Sequence, residues 1–146
     1  MGKSVAFDGY GVTIGWGDGA TAETFTLFAE VNTVGLPNEN TEFIDVTHAT
    51  SPNKRREFIA GLVDPGEVSM ELNMVQADYK QLRDDLGGDE RNYEITIPDD
   101  NYSTKPTIEF PGIVSSLEVE LGVEDKVTCS VTFKVTGDPT YTEGTD

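Results

Sequence analysis

Few residues in this chain could do chemistry, and their spacing limits what that chemistry could be. There is one histidine, His48, and one cysteine, Cys129. A nucleophile triad or a histidine-based metal site needs partners in set positions, and nothing in the spacing supplies them to His48. It stands where a strand pattern ends and reads as a loop-start hydrogen-bonding residue. Cys129 falls on the apolar side of an alternating strand and reads as a small buried hydrophobe. Alone it makes no internal disulfide, so nothing points to an oxidising compartment. Glu118 and Glu120 share a strand face about 7 Å apart, at ~3.3 Å per residue. Glycosidase carboxylates use that range, but any solvated strand presents such pairs. Asp99-Asp100-Asn101 lacks the ligand spacing of a calcium loop and reads as a solvated turn. The run GYGVTIGWGDG is not followed by Gly-Lys-Ser/Thr or by a helix pattern, so it is no phosphate loop. Trp16 and Tyr10 could stack on a sugar, which leaves a monomeric β-sandwich carbohydrate-binding module as the alternative reading. With no nucleophile–base set, the expectation is a non-enzyme that needs no cofactor or metal.

The surrounding elements are mostly strands. Phe25, Leu27, Ala29 and Val31 alternate with polar residues over 24–34, and 41–47 forms a second run. Val68, Met70, Leu72 and Met74 alternate with Glu67, Ser69, Glu71 and Asn73. Tyr93, Ile95 and Ile97 follow the same period. Prolines bracket the short run 107–110, and a separate strand is expected over 113–123. Val127, Cys129, Val131, Phe133 and Val135 form the last strand. Val75, Tyr79, Leu82 and Leu86 mark one helix over 75–87 that covers the sheet with a single apolar stripe. The predicted fold class is mainly β: a β-sandwich or barrel flanked by one α-helix. At 146 residues the chain is expected to be one domain. It comprises a flexible, glycine-rich N-terminal arm over 1–23, in which the alternation of Val12, Ile14 and Trp16 allows a short strand or an extended run, a β domain over 24–137, and a mobile tail over 138–146.

One stretch departs from this economy. Between the strands ending near Thr47 and starting near Glu67 lies a long loop, 48–65, far beyond the usual ~4–6 residues. It holds Phe58, Ile59, Leu62 and Val63, and the basic cluster Lys54-Arg55-Arg56. The whole chain carries a formal charge of −17. Such acidity argues against tight phosphate binding. An apolar, basic arm on an acidic domain is a segment made to dock on something else. No apolar run approaches the ~18 residues of a membrane span, and the first residues lack the apolar block of a signal peptide.

Three features together resemble a known family. Asp45-Val46-Thr47-His48 leads through a charged loop into Glu57-Phe58-Ile59-Ala60-Gly61-Leu62-Val63-Asp64. A single helix, DYKQLRDDLGG, follows in mid-chain. Phe110-Pro111-Gly112-Ile113-Val114 then leads into a final hairpin closed by Lys134-Val135-Thr136-Gly137. In order and spacing, over residues 20–140, they resemble the major tail tube proteins of long-tailed, lambda-like bacteriophages, whose fold is similar to the tube of type VI secretion. The resemblance implies a virion structural protein that self-assembles, in the host cytoplasm, into rings of six stacked as a tail tube. It implies a tape measure protein inside, tail terminator and tail tip proteins at the ends, and DNA passing through the lumen without specific binding. It implies no membrane, and no immunoglobulin-like decoration domain is expected. The arm then docks on another copy of the chain, with Lys54, Arg55, Arg56, Phe58, Ile59 and Leu62 as contact candidates. Glu67, Glu71, Glu118 and Glu120 become candidates for a DNA-repelling lumen. Acidic subunits repel one another over a screening length of about 8 Å at 0.15 M salt, so the basic residues must compensate locally.

Overall fold

In a computed structural model, described for residues 6–20, 23–124 and 126–146, ten strands and one α-helix follow one another. They are β1 (Thr13–Gly17), β2 (Phe25–Leu27), β3 (Val31–Val34), β4 (Asn40–Asp45), β5 (Phe58–Asp64), β6 (Glu67–Asn73), α1 (Gln76–Asp85), β7 (Arg91–Thr96), β8 (Thr107–Glu120), β9 (Thr128–Val135) and β10 (Thr140–Thr142). Eight strands form one antiparallel sheet. Seven run in the order β2-β1-β7-β8-β9-β6-β3, and β10 pairs with the start of β8. The sheet curls until β3 touches β1, which encloses the core.

Alternation drives this arrangement. On β6 and β9 every second residue is buried: Val68, Met70 and Leu72 face Cys129, Val131, Phe133 and Val135. Apolar side chains on one pleat face pack inward, and each contributes about 1.5–3 kcal/mol when fully buried. Tyr93, Phe110 and Phe133 form an aromatic cluster at the centre, with ring centroids 4.5 to 6.1 Å apart.

The terminal segments differ from the sequence expectation. The arm expected over 1–23 contains β1, which lies between β2 and β7 with Ile14 at 0% exposure. Its glycines serve close approach rather than flexibility: a Cβ on Gly15 would sit 2.9 Å from the Thr26 carbonyl oxygen of β2. Residues 1–5 and 21–22 of that expected arm lie outside the described residues. The tail expected to be mobile over 138–146 holds β10, paired through Thr140, Tyr141 and Thr142 with Glu109, Ile108 and Thr107. The run 24–34 is two strands, and Phe28 rather than Leu27 enters the core.

The two runs expected on either side of Pro111 are one strand, β8. It pairs with β7 and β10 in its first half and with β9 from Gly112 onward. Pro111 sits between the last β10 pair, at Glu109, and the first β9 pair, at Gly112. The missing N–H of a proline is tolerated where a ladder is interrupted.

On α1, Leu82 is buried, but Asp78 and Asp85 share its inward face while Leu86 is exposed. The Asp78 carboxylate accepts the Ala29 N–H at 2.8 Å, tying the helix to the β2–β3 connection. Asp85 accepts from Arg91 Nε at 3.1 Å, from the Tyr93 hydroxyl at 3.1 Å and from Gln81 at 3.0 Å. Arg91 also donates to the Gly17 carbonyl at 2.6 Å. Burial first, and then the Asp85 charge, push the Tyr93 hydroxyl well above the usual phenol range. It therefore stays a donor.

Gly66 turns β5 into β6 with φ +77°, and a Cβ there would collide with the Asn38 backbone at the root of the β3–β4 connection. The left-handed region costs an ordinary residue about 1–2 kcal/mol before that clash is counted. Gly66→Ala is expected to lower unfolding stability by at least about 2 kcal/mol in urea titration. An unchanged midpoint would show that the turn has room to relax.

Candidate functional site

The stretch expected as loop 48–65 is in part a strand. Residues Phe58–Asp64 form β5, which pairs antiparallel with β4 as a separate two-stranded sheet, with Ile44 opposite Ile59 and Asp45 opposite Phe58. The structure is a β-hairpin arm outside the main sheet. The sequence concealed it because both faces are exposed, so burial imposes no alternation of polar and apolar residues. Of the contact candidates, Leu62 is 80% exposed, and Phe58 and Ile59 about half. Phe43, opposite on β4, is 69% exposed. An apolar surface of this kind marks an interaction site.

The arm's tip is held in shape by its own polar groups. Thr50 N–H donates to His48 Nδ1 at 3.2 Å, which leaves Nε2 to meet the Glu57 carboxylate at 3.3 Å. Ser51 Oγ donates to the same Glu57 carboxylate at 2.6 Å, and Glu57 N–H donates to Thr47 Oγ1 at 2.7 Å. Asn53 and Lys54 turn the chain with φ of 55° and 59°. Arg56 leans back to Asp45 at 3.4 Å. Among the described residues no ion pair involves Lys54 or Arg55.

The four acidic candidates fall on one face. Glu71 stands opposite Ser130, which stands opposite Glu118. Asn73, Thr128 and Glu120 form the next row, and Glu67 is opposite Lys134. Ser69, Thr132 and Ser116 complete a surface of carboxylates and hydroxyls on the outer side of β6, β9 and the second half of β8. This surface belongs to a four-strand unit, β3-β6-β9-β8, with a bare edge at each end. β3 pairs with β6 alone. β8 beyond Val114 pairs with β9 alone, because β7 ends opposite Gly112.

The residues screened for catalysis stay apart. Burial raises the Cys129 thiol pKa, and the Asp78 charge adds to the rise. Asp99 is occupied by the Asn101 backbone at 3.0 Å and side chain at 2.7 Å. Trp16 packs on Phe28 with centroids 4.6 Å apart, so one face of the ring is already covered. No group of three or more His, Cys, Asp or Glu is placed to hold a metal among the described residues.

An exposed hairpin, bare edges and an acidic face describe a building block, and the comparison with known proteins agrees. The family described as lambda phage tail tube protein matches residues 11–142. The chain belongs to that family. No curated protein matches. Solved structures share the tail tube fold at low identity. The tail of an empty gene transfer agent particle with C6 symmetry has a TM-score of 0.72 at 17% identity, over 94% of this chain and 99% of that one. The SPP1 tail tube has 0.65 at 19%, over 92% and 78%. The sheath–tube complex of an extracellular contractile injection system has 0.71 at 9%, over 94% and 92%. A tail tube protein is a structural component of the phage tail.

Sequence reasoning missed the buried Asp78 and Asp85 and the half-buried Arg91, which hold the helix, and the surroundings of Phe7 and Tyr10. An aspartate on the apolar side of a helix was the available signal.

Proposed function

We propose that the chain assembles in the bacterial host cytoplasm into rings of six, which stack into the virion tail tube and conduct DNA. The observation that supports this most is the pair of bare edges at opposite ends of the acidic four-strand sheet. Edge strands pair readily with other chains. Joining β8 of one copy to β3 of the next is a head-to-tail contact, and such contacts close into rings when the rotation permits. The outer face carrying Glu67, Glu71, Glu118 and Glu120 then lines the lumen. There its carboxylates and hydroxyls keep DNA hydrated and unbound. The tape measure protein occupies this lumen during assembly, and terminator and tip proteins meet the end rings.

Stacking falls to the arm. Lys54 and Arg55 offset the repulsion between acidic rings, and Phe58, Ile59 and Leu62 supply apolar contact. Negative-stain microscopy of the purified protein is expected to show rings or tubes, with a sedimenting mass far above 15.9 kDa. A monomer at every concentration and salt would sink the reading. Replacing Lys54, Arg55 and Arg56 with Glu is expected to leave unfolding within about 0.5 kcal/mol of the parent, since all three are exposed surface positions. Tubes are expected to shorten to single rings or short stacks. Unchanged tube lengths would refute the role of the basic cluster.

A further inference from the structure

The dipeptide Asp-Gly occurs twice in the chain, at Asp8-Gly9 and Asp18-Gly19. Glycine puts no side chain beside its own nitrogen and lets the backbone bend until that nitrogen reaches the preceding aspartyl Cγ. The two sites share their local turn. The Asp8 carboxylate accepts the Tyr10 N–H at 3.0 Å, and the Asp18 carboxylate accepts the Ala20 N–H at 3.0 Å. A Cβ on either glycine would meet nothing within 4 Å, so both turns stand open to water.

The hydrogen bonds around them differ. Gly19 N–H donates to Glu23 Oε2 at 2.9 Å, and the Asn92 side chain fixes the other oxygen of Glu23 at 2.8 Å. Asp18 Oδ1 accepts a second bond, from the Thr24 N–H at 3.3 Å, while the Asp18 N–H donates to the Thr24 carbonyl at 3.2 Å. The Ala20 N–H, and then the Thr24 N–H, hold the Asp18 carboxyl below the usual carboxylate range, away from its protonated form. At the first site Asp8 is exposed, and among the described residues no hydrogen bond engages the Gly9 N–H.

We propose that Asp8-Gly9 is a site of spontaneous isomerisation to isoaspartate, and that the fold protects Asp18-Gly19 from the same reaction. The Gly9 nitrogen attacks Asp8 Cγ. The N–Cγ bond forms, the Cγ–OH bond of the protonated carboxyl breaks, and the hydroxyl leaves with the amide proton as water. The product is a five-membered succinimide. Water then adds to either ring carbonyl. Opening at the main-chain carbonyl leaves Gly9 attached through Cγ, with one more carbon in the backbone and a free α-carboxylate. The only co-reactant is water, and the net composition is unchanged. At Asp18 the same attack must first break the bonds from Gly19 to Glu23 and from Thr24 to the carboxylate, so it waits on local opening. The inference does not depend on the tube reading.

The test incubates the full chain for weeks at neutral pH and physiological temperature. Isoaspartate is then labelled with protein L-isoaspartyl methyltransferase and a radioactive methyl donor. Chymotryptic cleavage at Tyr10 and Trp16 separates the two sites. Label at Asp8 is expected to exceed label at Asp18 by about tenfold or more in the folded chain, and the two are expected to be nearly equal in concentrated urea. Asp8→Glu is expected to abolish label at that position, because the longer side chain would have to close a six-membered ring. Glu23→Ala, checked for folding by circular dichroism, is expected to raise label at Asp18 by about fivefold. Equal labelling of the two sites in the folded chain would overturn the proposal. So would the same excess at Asp8 in urea, since local sequence rather than the fold would then set it. A folded Glu23→Ala chain with Asp18 still unlabelled would overturn the protection assigned to Glu23.

Discussion

Excising the arm is expected to leave a folded subunit that no longer builds tubes. Asn40 and Asp64 are directly opposite in the hairpin register, so an Asn-Gly turn can join them in place of residues 41–63. The deleted segment contributes no residue to the hydrophobic core, and β4 is exposed along its whole length. Its removal therefore takes little buried surface from the monomer, and thermal melting is expected within a few degrees of the parent. The effect on assembly is much larger. Each half-exposed apolar side chain gains about 1 kcal/mol when covered, and stacked rings form all such contacts together, so the losses compound. Electron microscopy is expected to show isolated rings or monomers at concentrations where the parent is fully tubular. Tubes of normal length from the excised chain would remove the arm from the assembly mechanism. A chain that fails to fold would make the arm a structural element instead.

The second large effect lies in the helix anchor. Asp85→Ala strands the Arg91 guanidinium and the buried Tyr93 hydroxyl, both of which donate to that carboxylate. Removing one partner of a buried ion pair costs about 3–5 kcal/mol. Arg91 is about one-third exposed and keeps its bond to the Gly17 carbonyl, which places the expected loss near the lower end, about 3 kcal/mol. For a domain of this size that is a fall in Tm of about 10 °C. Tyr93→Phe removes one hydrogen bond while leaving the ion pair, and is expected to cost about 1 kcal/mol. Calorimetry showing equal losses for the two variants would mean that the phenol, not the ion pair, carries the anchor.

Legibility in the sequence followed burial. β6 and β9 were readable because one face of each is sealed and the other wet, which writes a period of two into the residues. The single helix was readable from Tyr79 and Leu82. Its true inward face was not, because Asp78 and Asp85 look polar until their partners Ala29 and Arg91 are brought near by the fold. The arm was visible as an anomaly of length and charge but not as a hairpin, since neither of its faces meets the core. The strand at Thr13–Gly17 was half legible in the alternation of Val12, Ile14 and Trp16, but its glycines pointed to flexibility, and their purpose, admitting the β2 backbone, is a property of the neighbour. No local pattern marks the apolar depression lined by Phe7, Leu36 and Ile97, because these residues come together only when the sheet curls.

β8 has a mechanical consequence. Its 14 residues form a beam of roughly 46 Å at ~3.3 Å per residue, shared by β7 and β10 at one end and by β9 at the other. A push on the bare edge beyond Val114 is carried through continuous backbone into the far half of the subunit. Among the described residues, the hairpin arm is the pair of strands outside this sheet. In the proposed tube the subunits act as stiff bricks and the arms as compliant joints, so the tail bends between rings while its bore keeps a constant cross-section.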